Sequence, residues 1–158
     1  FGAIGKGYAI DKAANILKKE GIKSAFIDSV SNQYYLGSPP GASSWQVGIK
    51  DPRNPNKIIK YLYIKNKSIS TSGDYEQFFI ENNIRYSHII NPKTGYPINE
   101  ANASTIVSEH STDADALSTS ILLLNENMTK SLLKRFPGTY ALKIVNTGKN
   151  YKIIEYKN

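Results

Sequence analysis

Apolar residues along this chain keep two different periods, and the changes between them mark out the elements. Over residues 8–19, Ile10, Ala13, Ala14 and Leu17 recur at helical spacing, and Gly21 follows as a C-terminal stop. The same spacing returns from residue 112 in Ala114, Leu117, Ile121 and Leu124, with Ser111 or Thr112 placed to cap that helix. A shorter helix is predicted over 128–135, stopped by Phe136, Pro137 and Gly138. Most of the remaining chain alternates or runs apolar in short stretches. Residues 23–29 and 33–36 predict two strands about a polar turn, and 45–50 predicts another. Residues 58–65 and 68–72 predict a hairpin across Asn66 and Lys67, and 76–80 with 84–90 a second across Glu81, Asn82 and Asn83. Residues 104–108 read as one more strand, and 139–145 with 151–156 as a closing hairpin. The stretches GSPPGASS (37–44) and DPRNPN (51–56) are loops by their Pro and Gly or Asn content.

A helix, then mostly antiparallel strands, two helices and further strands imply an α+β fold with helices packed on the sheet, and argue against a doubly wound parallel sheet. With no internal repeat or linker, residues 1–158 form a single unit long enough to bury a core.

Composition narrows the chemistry. The absence of cysteine removes a disulfide framework and a thiolate metal site. No run of about eighteen apolar residues and no leader pattern occurs within the 158 residues. A net charge of +7 raises the question of a polyanion partner, but the lysines are scattered and no basic stripe carries interleaved aromatics. Nucleic acid is therefore not the expected partner; an anionic small ligand, or solubility alone, accounts for the charge.

Four segments carry residues capable of chemistry, and each has a plainer explanation. GAIGKGYAID (2–11) offers backbone N–H groups and Lys6 at a helix start, which suits an anion, although it matches neither a Walker A loop nor GxGxxG and also reads as ordinary glycine turns. In DADALST (113–119), Asp115 and Thr119 are four apart on one helical face, a carboxylate and a hydroxyl of the kind Mg²⁺ accepts. An acid in a first helical turn also simply offsets the macrodipole, a part Asp113 can fill. His88, in HIINPKTGYP, is predicted near a strand end where Asn91-Pro92 and Thr94-Gly95 form turns. An imidazole there can orient or deprotonate a hydroxyl, or can be a structural histidine. His110 is assigned no role. STSGDYEQF (70–78) ends a strand with small residues, among them Ser72 and Gly73, as a site wall or as a turn.

In combination, FGAIGKGYAIDKAANILKKEG, WQVGIKDPRNP, STSGDYEQFF, HIINPKTGYPI and TDADALSTSILLL closely resemble the ApbE family of FAD:protein FMN transferases, from Phe1 to about residue 146. The segments H-x-x-N/D-P-x-T-G-x-P and A-D-A-L-x-T are specific together. The resemblance implies an ApbE-like, T-fold-like domain and a magnesium-dependent enzyme acting outside the bacterial cytoplasm, exported or lipid-anchored. Such an enzyme splits FAD, its substrate, and attaches FMN through its phosphate to a threonine or serine hydroxyl of an acceptor protein, releasing AMP; some relatives hydrolyse FAD to FMN and AMP instead. The acceptors it implies are flavin-carrying subunits of membrane redox complexes or extracellular electron-transfer proteins.

Carried across, the resemblance makes Asp115, Thr119 and the backbone carbonyl of Ala3 metal ligands. Lys6 and Ile90 become flavin-nucleotide contacts and His88 the residue assisting transfer; Ser72 and Gly73 join the cofactor contacts from their place in the 70–78 wall. Two departures stand out. Val30 and Ser31 occupy positions where the family carries a glycine pair, and the family chain is about twice this length, so the expectation is a C-terminal portion lacking its N-terminal half. A non-catalytic binding or interaction module is the alternative of a different class, with the lost glycine pair in its favour.

Overall fold

A computed structural model describes the chain except for residues 53, 55, 75, 99–102, 148 and 149, and the side chain of residue 85. Two positions of the predicted turn at 51–56 and one of the 70–78 segment thus lie outside the described residues. The elements run α1 (Gly5–Lys19), β1 (Ala25–Ser29), β2 (Asn32–Leu36), β3 (Trp45–Lys50), β4 (Ile58–Ile64), β5 (Lys67–Gly73), β6 (Phe78–Glu81), β7 (Ile84–Ser87) and β8 (Ala103–Ser108). Then come α2 (Ser111–Leu123), α3 (Glu126–Leu133), β9 (Tyr140–Asn146) and β10 (Tyr151–Lys157). The fold is α+β, as expected, and the strand pairs among the described residues are antiparallel.

Six strands make the main sheet in the order β1-β2-β5-β8-β9-β10, and β8 near its middle is buried along its whole length because both faces are covered. On one face Ile106 packs with Ala114, Leu117 and Ile121 of α2, Leu133 of α3, Ala141 and Tyr156. The same face of β2 receives α1, whose Ile10 and Ala14 sit on Tyr34 and Leu36. On the other face Ile69 and Val107 are roofed by Val47, Ile49 and Ile64 of the β3–β4 ribbon. Alternation along each strand thus divides the apolar side chains between a helical layer and a ribbon layer. The buried Lys143 amine donates to the carbonyls of Ile121 at 2.9 Å and Leu124 at 2.8 Å, closing the C-terminal end of α2.

Three expectations are corrected. The hairpin across Asn66 and Lys67 does not form: β4 pairs with β3 in a separate two-stranded sheet, while β5 lies between β2 and β8. Asn66 does turn the chain, with φ of +53°, but the strands part because Ile64 goes to the ribbon core and β5 must place serines toward α2. The first helix begins at Gly5 rather than at residue 8, since Phe1 supplies a carbonyl to the N–H groups of Ile4 and Gly5, at 3.2 and 2.9 Å. The third helix runs over Glu126–Leu133, earlier than the predicted 128–135, because Asn125 caps it by accepting from the Met128 N–H at 2.9 Å. By contrast the Asn82–Asn83 turn, with φ of +50° and +61°, has the left-handed pair that a tight two-residue hairpin needs.

Val30 in the β1–β2 turn has φ of +59° and is 94% exposed. A left-handed conformation costs an L-residue about 1–2 kcal/mol, and a β-branched one gains no local bond in return. Val30→Gly is therefore expected to raise stability by about 1 kcal/mol after the entropic cost of glycine in the unfolded chain, read as a higher urea midpoint at unchanged m-value. A lower midpoint would show that the turn conformation carries no such strain.

Candidate functional site

The first turn of α1 lies against the start of α2, and glycine makes this approach possible. A Cβ added at Gly7 would lie 2.3 Å from the Ser111 carbonyl oxygen. At that distance the Gly7 N–H donates to Asp115 Oδ2 across 2.9 Å, although Asp115 is only 4% exposed. One turn further along α1, Asp11 accepts from the N–H groups of Ser111 and Thr112, at 2.7 and 2.9 Å, and from the Thr112 hydroxyl at 2.6 Å. The N-terminus of α2 is thus capped by a carboxylate from α1, and the expected local cap by Ser111 or Thr112 is corrected. Asp11 escaped the sequence reading because its partners are 100 residues away; its place four residues after Gly7, on the same helical face, is the signal that was available.

Behind Asp115, small hydroxyls replace apolar packing between α2 and β5. Ser72 Oγ is 2.8 Å from Ser118 Oγ and 3.1 Å from Thr119 Oγ1. Ser118 also lies 3.2 Å from Ser70 Oγ and donates to the Asp115 backbone carbonyl at 2.9 Å, while Ser70 donates to Asn32 Oδ1. Two of the predicted site residues, Ser72 and Thr119, therefore touch, and Ser118 links them to the Asp115 backbone. Gly73, buried at the end of β5, pairs with Ala103 and accepts the Glu76 N–H at 3.3 Å.

The third oxygen expected from the resemblance is the Ala3 carbonyl. In a regular helix the Gly7 N–H would return to it, but that N–H goes to Asp115, and among the described residues the Ala3 carbonyl accepts no hydrogen bond. Among those residues no group of three or more His, Cys, Asp or Glu side chains gathers anywhere. A cation held by Asp115, Thr119 and the Ala3 carbonyl would have one carboxylate, a hydroxyl and a carbonyl as ligands, all hard oxygens. That set fits Mg²⁺ and not a nitrogen- or sulfur-seeking metal.

Lys6, on the exposed side of the same turn, donates to Ser31 Oγ at 2.5 Å. The side chain standing where a second glycine was expected therefore anchors Lys6. Ser31 also lines a cleft of about 250 Å³ between the main sheet and the ribbon, together with Val30, Lys50, Thr71, Glu76 and Thr105. Partial burial pushes the Glu76 carboxyl above the usual carboxylate range, opposed by the positive charges of Lys6 and His88. Glu76 thus comes under the influence of Lys6 and His88, which belong to different elements, a placement no local pattern announces.

His88 continues the β6–β7 ladder by one pair, its N–H donating to the Gln77 carbonyl at 3.0 Å. Its Nδ1 lies 2.9 Å from the same carbonyl. A carbonyl oxygen only accepts, so Nδ1 carries the hydrogen, and in the neutral imidazole Nε2 is the nitrogen with the lone pair. Beyond it, Ile90 bridges to Pro97, and Asn91 accepts from the Gly95 N–H at 2.8 Å, at a glycine with φ of +73°. Ile90 is held by this turn, and no described hydrogen bond joins it to Lys6 or Asp115.

Comparison with known proteins places the chain in a family. A sequence model of the ApbE family matches residues 1–143, and the chain belongs to that family. It is 37% identical over 154 residues to the FAD:protein FMN transferase of Treponema pallidum, covering 91% of this chain and 42% of that protein. The crystal structure of the ApbE protein from Thermotoga maritima superimposes with a TM-score of 0.83 at 32% identity, covering 95% of this chain and 49% of that one. Apo Pseudomonas stutzeri flavinyl transferase ApbE gives 0.80 at 30% identity, over 99% of this chain and 49% of that one. The chain thus spans about half the length of the relatives it matches.

The close approach at Gly7 makes a direct prediction. Gly7→Ala must push α1 from α2, with an expected loss of about 1–3 kcal/mol in urea unfolding, the usual range for overpacking. An unchanged midpoint would mean that the helices separate freely and that the Asp115 contact constrains little.

Proposed function

We propose that this chain carries the metal-bearing and proton-accepting parts of a magnesium-dependent transfer of FMN from FAD to a threonine or serine hydroxyl of an acceptor protein, releasing AMP. The observation that carries this is the Gly7–Asp115 bond, which joins the Asp115, Thr119 and Ser72 cluster to the turn bearing Ala3 and Lys6. Membership of the family and the printed names of its relatives support the flavin chemistry. Action outside the bacterial cytoplasm, on flavin-carrying redox subunits or extracellular electron-transfer proteins, belongs to the same proposal and rests on the resemblance.

Asp115, Thr119 and the Ala3 carbonyl would hold Mg²⁺, which when bound neutralises charge gathering on phosphate oxygens as a pyrophosphate is cleaved. Lys6, anchored on Ser31, presents its ammonium to the nucleotide phosphates. Ile90 and the wall formed by Ser72 and Gly73 border the nucleotide. The acceptor oxygen attacks the FMN phosphorus; the bond to the bridging oxygen breaks with its electron pair, and that oxygen leaves on AMP. The hydroxyl proton passes to His88 Nε2, free because Nδ1–H is committed to Gln77.

The test is AMP release from FAD with Mg²⁺, measured by chromatography on the protein as its gene encodes it. Asp115→Ala is expected to abolish release. His88→Ala should lower FMN transfer by about 10²- to 10⁴-fold, the usual contribution of a general base. Transfer at the parental rate without the imidazole would remove His88 from the mechanism. Release of FMN and AMP with no labelled acceptor would instead identify a hydrolase.

A further inference from the structure

A hydroxyl can donate or accept, so a chain of hydroxyls has a direction only where one end is fixed. Between α2 and β5 one end is fixed. Ser118, fully buried, donates to the Asp115 backbone carbonyl at 2.9 Å, and a carbonyl oxygen only accepts. The one hydrogen of Ser118 is therefore spent. Ser72 Oγ lies 2.8 Å from Ser118 Oγ, so the hydrogen between them belongs to Ser72. Thr119 Oγ1 lies 3.1 Å from Ser72 Oγ, and with the Ser72 hydrogen also spent, that contact takes the hydrogen of Thr119. Ser70, 3.2 Å from Ser118, has none to add, because its own goes to Asn32 Oδ1. The chain thus runs from Thr119 through Ser72 and Ser118 to the Asp115 carbonyl. At its head, Thr119 Oγ1 gives its hydrogen away and, among the described residues, receives none, so both lone pairs stay unspent. The local alternative for a helical threonine is to turn its hydroxyl back on the carbonyl four residues earlier, here that of Asp115. That carbonyl takes the Thr119 N–H of the helix ladder and the Ser118 hydroxyl, one bond for each lone pair.

We propose that Ser72 and Ser118 are positioning residues for the cation, which together fix the direction of the Thr119 hydroxyl so that Oγ1 offers the metal a lone pair and not a hydrogen. The inference rests on the functional proposal above, in which Thr119 is a ligand, and adds what makes it one. A hydroxyl ligates a hard cation only through its oxygen, and a hydrogen turned toward the metal sets one positive charge against another. Ser118 closes the local option for Thr119, and Ser72 provides the one across the sheet. Without the Ser118 hydroxyl, Ser72 loses the acceptor that orients it, and its other contact is Thr119. Its hydrogen then takes a Thr119 lone pair and turns the Thr119 hydrogen outward. Ser118 has 0% exposure and touches no nucleotide, so an effect of its removal on the metal travels through Ser72.

The probe is Mn²⁺, an oxygen-seeking octahedral cation like Mg²⁺, titrated into the protein as its gene encodes it and followed by the loss of its EPR signal. The second readout is the Mg²⁺ concentration that half-saturates AMP release from FAD. Ser72→Ala and Ser118→Ala are each expected to raise both values about tenfold, the lower end of what removing the partner of a metal ligand costs. With Mg²⁺ saturating, the KM for FAD in Ser118→Ala should return to the parental value. Ser120→Ala removes a hydroxyl donated to the Ala116 carbonyl at 2.8 Å on the same helix, and should move neither readout. An unchanged cation dependence in Ser118→Ala, by either readout, overturns the proposal, even where the melting temperature falls. An equal loss in Ser120→Ala also overturns it, as an effect of the helix and not of the chain. So does a raised FAD KM in Ser72→Ala with metal affinity intact, which makes Ser72 a nucleotide contact alone. A parent protein that neither binds Mn²⁺ nor releases AMP removes the functional proposal itself, a different result from a parent whose metal affinity ignores the two serines.

Discussion

One amide hydrogen holds this molecule's chemistry in place. The Gly7 N–H could have closed the first turn of its own helix, and instead crosses to Asp115 on another. The exchange gives a buried carboxylate oxygen a hydrogen-bond donor, and a buried polar atom without one costs stability. It also frees a backbone carbonyl, at Ala3, beside the same turn. Only a residue without a Cβ permits it, because the backbone of Ser111 stands where the Cβ would be. Asp11 reinforces the arrangement one turn later by taking the two leading N–H groups of α2. The two helices are thus fixed to each other by polar groups at their ends, while their apolar faces rest separately on the sheet.

The sheet explains why these ends meet at one place. β5 and β8 lie at the middle of the order β1-β2-β5-β8-β9-β10, and α2 covers them on one side. Serines on β5 face the helix at Ser70 and Ser72, so the contact there is a run of hydroxyls leading to Thr119. Ile106 on β8 faces the same helix through an apolar contact. One helix is therefore seated firmly by its apolar stripe and tuned by its polar one. The backbone hydrogen bond of His88 belongs to a different unit, the small ribbon.

Much of this was legible in the chain. The helical stripe of Ala114, Leu117 and Ile121 is the core face of α2, and the Asn82–Asn83 turn has the backbone its residues favour. The spacing of Asp115 and Thr119 put both on one helical face, and the structure adds the contact of Ser72 with Thr119. What stayed hidden depended on partners far off in sequence. A turn at Asn66 looks the same whether its flanking strands pair or diverge, and here the choice is made by Ile64 packing into the ribbon core. The cap on α2 was sought locally, among Ser111 and Thr112, because local caps are common; Asp11 lies outside any window. Ser31 was noticed as the loss of a glycine, and only its nearness to the Lys6 amine gives it a use.

The contact between Gly7 and Asp115 joins residues 108 apart, and the cap by Asp11 joins residues 100 apart. Closing so long a loop costs entropy before any contact rewards it, which places this pairing among the slow, non-local events of folding. The joined helix ends are therefore a product of the whole topology and not of either helix alone. By linkage, a ligand that needed both helix ends in place would also stabilise the topology that brings them together.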